Sequence, residues 1–131
     1  MSNQIEFAVR DGMPTVELHG TKTLEAALET WSKIQKFIEE KMLDRLLVID
    51  EMDDELTVWD IADIEAQLTA SGFPRSVYVA IVDHALRDDR NTNAFGELYA
   101  FNRGWHRLRA FETQDLALAW LRSGDQAAPA S

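Results

Sequence analysis

Ser76-Val77-Tyr78-Val79-Ala80-Ile81-Val82 is a short, almost continuous apolar run, rich in β-branched and aromatic side chains. Pro74 and Arg75 precede it, and the polar pair Asp83-His84 ends it. A strand with one wet face alternates polar and apolar residues. This run has almost no polar positions, so it reads as a central strand covered on both faces, as in a parallel α/β sheet. Arg45-Leu46-Leu47-Val48-Ile49-Asp50 has the same character and is its expected companion.

The segments around these two strands read as their cover. From Gln4 to Arg10, Ile5, Phe7 and Val9 alternate as in a half-buried strand, and Thr15 to His19 alternates again. Asp11-Gly12-Met13-Pro14 is the turn between them, giving an edge hairpin that Gly20 closes. Thr21 or Thr23 caps a helix of about five turns whose stripe is Leu24, Ala27, Leu28, Trp31, Ile34 and Ile38, widened by Phe37. After the strand at 45–50, Glu51 to Glu55 reads as an acidic loop. Thr57 then caps a second helix, with Asp60 three residues on. That helix carries Val58, Ile61, Ile64 and Leu68 with the small Ala62 and Ala66, and Ser71-Gly72 stops it.

Beyond the central strand, Asn91, Thr92 or Asn93 caps a third helix over 94–103, in which Phe95 and Leu98 share the packing stripe. Gly104 is placed to end it, and Trp105 to pack the corner. A short last strand lies within 105–111, with Leu108 and Ala110 on one side and Arg107 and Arg109 on the other. Thr113 caps a final helix with Ala117, Trp120 and Leu121 inward. The expected fold is α/β: a single sheet of about five strands, an N-terminal hairpin then β-α repeats, packed with four helices. One domain spans 1–123, and 124–131 reads as a flexible tail.

A chain of 131 residues, 46% apolar and 27% charged, suits one soluble domain that buries roughly two-thirds of its unfolded surface. With no cysteine there is neither disulfide nor thiolate chemistry. The first residues lack the basic and apolar regions of a signal peptide, and no apolar run spans a membrane, so a cytoplasmic protein is expected. A formal charge of −10 repels nucleic acid. Acids crowd 39–65, while Arg87, Arg90, Arg103, Arg107 and Arg109 come later. A solvated surface accounts for this pattern. The sharper alternative is complementary faces meeting in a homodimer, with the aromatic helix of Phe95, Tyr99 and Phe101 as a further candidate surface.

The chemistry-bearing candidates sit at strand ends, where α/β sheets place their ligands. Asp50 and Asp53 belong to the acidic stretch, and carboxylates there suit a divalent cation, although the spacing is not that of a calcium loop. Asp83-His84 has the composition of a base and its orienter, without a nucleophile elbow. His19 and His106 form no ligand pair with it. Asn102-Arg103-Gly104-Trp105 reads first as a helix terminus, and second as a place where Arg103 holds an anion. No glycine-rich phosphate motif occurs.

Gly20-Thr21-Lys22-Thr23, Leu46-Leu47-Val48-Ile49-Asp50, Val79-Ala80-Ile81-Val82, Phe101-Asn102-Arg103-Gly104 and the ending Arg109-Ala110-Phe111 through Ala117-Leu118-Ala119-Trp120-Leu121 resemble the stand-alone SpoIIAA-like (STAS-like) bacterial proteins, relatives of the anti-sigma-factor antagonists. The resemblance covers nearly the whole chain. It implies regulation by protein contact and no catalysis. The antagonists' phosphorylatable Ser, in an Asp-x-Ser context, has no counterpart in Asp50-Glu51-Met52-Asp53, and the next hydroxyl is Thr57. The phosphorylation switch is therefore not carried over. The related, lipid-binding Sec14-like group adds a second expectation, an apolar ligand between helices and sheet, although this chain is too short to enclose a long one.

The expectation is a non-enzymatic regulatory or scaffold domain with an unidentified protein partner, homodimeric and without a cofactor. The alternative is a small-molecule binding protein, for a nucleotide or a lipid, and a hydrolase or metal-dependent enzyme using Asp50, Asp53, Asp83 and His84 ranks last. The candidate ligand or partner contacts are Asp50, Asp53, Asp83, His84, Asn102 and Arg103.

Overall fold

The computed structural model describes residues 3–88 and 91–123. Arg90 of the arginine cluster, and the tail at 124–131, lie outside the described residues. The elements run β1 (Gln4–Arg10), β2 (Met13–Lys22), α1 (Leu24–Lys41), β3 (Arg45–Asp54), α2 (Val58–Ser71), β4 (Tyr78–Val82), α3 (Thr92–Phe101), β5 (Leu108–Phe111) and α4 (Gln114–Ser123). They form the expected α/β fold, with one five-stranded sheet in sequential order. β1 and β2 pair antiparallel, and every later pair is parallel.

The hairpin turn is two residues, Asp11-Gly12, both with positive φ. That geometry matches the twist of the flanking strands and explains the Asp-Gly sequence. Met13 and Pro14 already belong to β2. Strand alternation then sorts the core into two layers. Val16, Leu18, Leu46, Val48, Val79 and Ile81 face α1, α2 and α3. Met13, Leu47, Ile49, Tyr78, Ala80 and Val82 face α4. The continuous apolar runs of β3 and β4 are therefore buried on both sides, as parallel central strands require.

Helix signals act as expected at several ends. Thr23 Oγ1 accepts from the Ala26 N–H. Thr57 and Asp60 form the reciprocal capping box, at 3.2 and 2.9 Å. At Gly104, φ is +94°, and the Trp105 N–H returns to the Ala100 carbonyl at 3.0 Å, closing α3 with a left-handed turn. Trp105 is buried and edges onto Phe73, so it packs the corner.

Further expectations need correction. β2 does not stop at Gly20 but continues to Lys22, and β3 continues through the supposed acidic loop to Asp54, because the two strands stay paired to Lys22 opposite Asp54. Strand alternation divides the acids: Glu51 and Asp53 are exposed, while Asp50, Met52 and Asp54 turn inward to partners. In α2, Val58 and Ala66 are exposed, and only Ile64 and Leu68 are buried. In α3 the inward stripe is Thr92, Gly96 and Ala100, not Phe95 and Leu98; Leu98 is 62% exposed. Large side chains were the natural choice for the stripe, but this helix turns its small ones toward the sheet.

Candidate ligand-binding site

The small inward stripe of α3 leaves space between α1, α2, α3 and the sheet. A cavity of about 90 Å³ lies there, within a concave space of about 860 Å³ counted out to its solvent mouth. Its wall is largely apolar: Leu18, Ala27, Trp31, Val48, Ile61, Ile64, Ile81, Ala100, Trp105 and Leu108. Gly96 contributes bare backbone to the lining. No residue of α4 takes part.

Lys22, Asp50, Thr92 and Asn93 form a polar part of the lining. Lys22 and Asp50 are 7% and 8% exposed. Lys22 Nζ donates to Asp50 Oδ2 at 2.6 Å. Asn93 Nδ2 donates to Asp50 Oδ2 at 2.8 Å and to Asp83 Oδ2 at 2.9 Å. Asn91 Nδ2 also donates to Asp83 Oδ2, at 2.7 Å, while its Oδ1 caps α3 by accepting the N–H groups of Asn93 and Ala94. The second oxygen of each acid turns back on its own chain: Asp50 Oδ1 accepts from the Met52 N–H and Asp83 Oδ1 from the Ala85 N–H. Asp54 Oδ2 takes both the N–H and the hydroxyl of Thr92. The ends of β2, β3 and β4 are thereby tied to the N-terminus of α3.

Burial pushes the Asp83 carboxyl up. Hydrogen bonds from Asn91, the Ala85 N–H and Asn93, with the charge of Lys22, outweigh it and hold the group below the ordinary carboxylate range. A buried ion pair survives desolvation only when its remaining lone pairs are satisfied, and the Asn93 bridge helps to do that for Asp50.

Elsewhere in the cavity wall, Glu97 Oε2 accepts the Ala110 N–H at 2.8 Å and Arg109 Nε at 3.3 Å. Glu65 Oε2 accepts Trp105 Nε1 at 3.1 Å. Each carboxylate in the wall thus serves a structural donor.

The sequence candidates separate into groups. Asp50 and Asp83 meet through Asn93. Asp53 points to the exposed side of β3, and His84 is exposed, its Nε2 3.9 Å from Glu51 Oε2. Neither joins the network, so the hydrolase constellation is not assembled. Asn102 is the C-cap of α3. Arg103 lies over the Tyr99 ring at 4.0 Å, with Nε 3.9 Å from Glu65 Oε1. The network also uses Lys22, Asn91, Thr92, Asn93 and Asp54, which the sequence does not single out as site residues. Asn91-Thr92-Asn93 carried one signal, three capping residues in a row where a helix needs only one.

Among the described residues no group of three or more His, Cys, Asp or Glu could hold a metal ion, and no helix is long and apolar enough to cross a membrane. A scan against protein-family models finds no match, and a search of curated proteins finds none either.

Proposed function

We propose that this domain is a non-catalytic, cytoplasmic binding protein for a compact small molecule, mostly apolar and carrying one hydrogen-bond-accepting group. The observation that supports the reading is the unfilled apolar cavity with a buried lysine in its wall. Protein cores are packed to crystal-like density. A pure interaction module needs no space in its core, so the small-molecule reading ranks above the partner-only regulatory role that the SpoIIAA-like resemblance implies. Lys22 carries three N–H donors and its described contact, to Asp50, uses one. Asp50 and Asp83 are already engaged by Lys22, Asn91, Asn93 and backbone N–H groups, which speaks for positioning rather than for acid-base turnover. Apolar walls and a charge of −10 disfavour a nucleotide's phosphates.

Native mass spectrometry of untagged protein tests this. The expected result is an added mass that denaturation releases and that Ala100→Leu, which fills the cavity, does not carry. The reading fails if no mass is added and medium-chain alcohols, aldehydes and carboxylates leave the melting temperature unchanged.

A further inference from the structure

The two edges of the sheet are finished differently. β5 is four residues long, and Arg109 wraps it, reaching Glu97 of α3 at 3.3 Å and lying 5.8 Å from the Trp120 ring of α4. Short strands and charged side chains are how sheet edges resist pairing. β1 is seven residues long and pairs with β2 without a break from Gln4 to Arg10. It contains no proline, lysine or bulge, its charges are Glu6 and Arg10, and among the described residues its outer edge has no neighbour in the sheet. Phe37 supports Phe7 from behind at 4.5 Å, yet Phe7 remains 43% exposed and Val9 71%.

The sequence of this edge is self-complementary. In an antiparallel pairing of two copies centred on Phe7, Ile5 faces Val9 of the second copy, Phe7 faces its own mate, and Val9 faces Ile5. All three pairs fall on one face of the sheet, because alternate residues share a face. On the other face Gln4 meets Arg10, and Glu6 meets Ala8 with Arg10 and Glu6 of the second copy on its two diagonals. No like charges stand directly opposite. A shift by one residue would set apolar against polar side chains, whereas a shift by two keeps apolar pairs, with Phe7 against Val9 and Glu6 against Arg10, so the alternation fixes the shared face and cysteine cross-linking distinguishes the registers.

We propose that two copies of this chain associate through β1, edge to edge about a two-fold axis at Phe7, making one continuous ten-stranded sheet. The occupant of the edge is a second copy, since the complementarity is of the strand with itself, as an isologous interface requires. The proposal is independent of the cavity and uses neither the aromatic helix nor the charge asymmetry considered from the sequence.

A charge exchange on the full chain tests it, read by sedimentation velocity. Ala8 is exposed and opposes Thr15 within its own hairpin, so A8E leaves the monomer fold intact, which its circular-dichroism melt checks. Across the axis, A8E sets a carboxylate against Glu6 twice. Dimer for the native chain, at least about tenfold weaker association for A8E, and recovery in E6K/A8E are the expected results. A native chain that stays monomeric at about a hundred micromolar overturns the proposal, as does an A8E dimer or a failure of E6K to rescue. Register has its own readout, because the chain lacks cysteine. Under mild oxidation F7C forms an intermolecular disulfide and V9C does not; equal cross-linking of both also overturns it.

Discussion

The two faces of this sheet use the same strands to different ends. Toward α4, Leu47, Ile49, Tyr78, Ala80 and Val82 meet Ala117, Leu118, Trp120 and Leu121 in a layer with aromatic contacts at 5.5 and 5.6 Å. Toward α1, α2 and α3, the neighbouring residues of β3 and β4 meet a helix whose inward residues are Thr92, Gly96 and Ala100, and a cavity remains. At its rim, polar groups replace apolar contacts: the Lys22–Asp50 pair and its asparagine bridges join the strand ends to α3. One face is filled. The other buries the larger apolar cluster, with its own aromatic contacts through Phe73, yet is also held by hydrogen bonds and keeps a cavity.

The largest expected effect falls on that polar rim. Lys22→Met strands Asp50 among buried groups, and the expected loss is about 3–5 kcal/mol, measured by urea denaturation. K22M/D50L removes both charges and should recover a good part of it, because an apolar pair replaces a buried ion pair with little penalty. If K22M is as stable as the native protein, the rim is not what holds this face. Next come matched truncations of the two layers. Leu121→Ala, fully buried beside Trp120, should cost about 3–4 kcal/mol, and Ile61→Ala, half-buried at the existing cavity, about 1–2 kcal/mol. Equal losses in denaturant midpoints would erase the contrast between the faces.

Asp83 gives the comparison a pH axis. Its folded carboxyl lies below the ordinary range, so the native state binds its proton less readily than the unfolded chain. Its stabilising contribution is complete above the unfolded value near about 4 and is lost as pH falls through the lower folded value. The stability gap between the native protein and Asp83→Asn should therefore be full at neutral pH and close below about pH 4. Melting temperatures of both, recorded from neutral pH down to pH 3, check this, and a constant gap would remove the ionised Asp83 from the rim's energetics.

Much of the filled face was legible in the sequence, because packing leaves periodic marks. The unbroken run Val77–Val82, whose alternate residues Tyr78, Ala80 and Val82 enter this layer, and the stripe of Ala117, Trp120 and Leu121 announce burial by size and spacing. The cavity face is written in what is small or polar. An inward stripe of Thr92, Gly96 and Ala100 has no hydrophobic signature, so Phe95 and Leu98 looked like the core. Acids at 50–55 looked like a loop, since nothing local reveals that Lys22, twenty-eight residues earlier, and Asn93, forty-three later, would neutralise and bridge Asp50. Such partners are set by strand order and register, which are not local properties. Asp53 and His84 share the composition of the site without its geometry, because each points away from it.

Gly96 carries the smallest expected effect and the sharpest test of why the second face is unfilled. It lies inside α3 with ordinary helical φ, so no left-handed conformation demands glycine. A methyl group there would meet only Ile61, at 3.6 Å to Cδ1 and 3.8 Å to Cγ2, which is ordinary contact. Glycine within a helix is less favourable than alanine by roughly 0.5–1 kcal/mol. Gly96→Ala should therefore raise the unfolding free energy by about that amount, read from the urea midpoint at unchanged slope. The chain forgoes this gain at a residue lining the cavity. If the bare backbone serves close approach of a ligand, the same substitution should diminish the mass adduct seen in native spectra while stabilising the empty protein. Stabilisation with the adduct undiminished would make the glycine dispensable for binding, and destabilisation would mean that α3 sits closer to Ile61 than the filled-and-unfilled contrast allows.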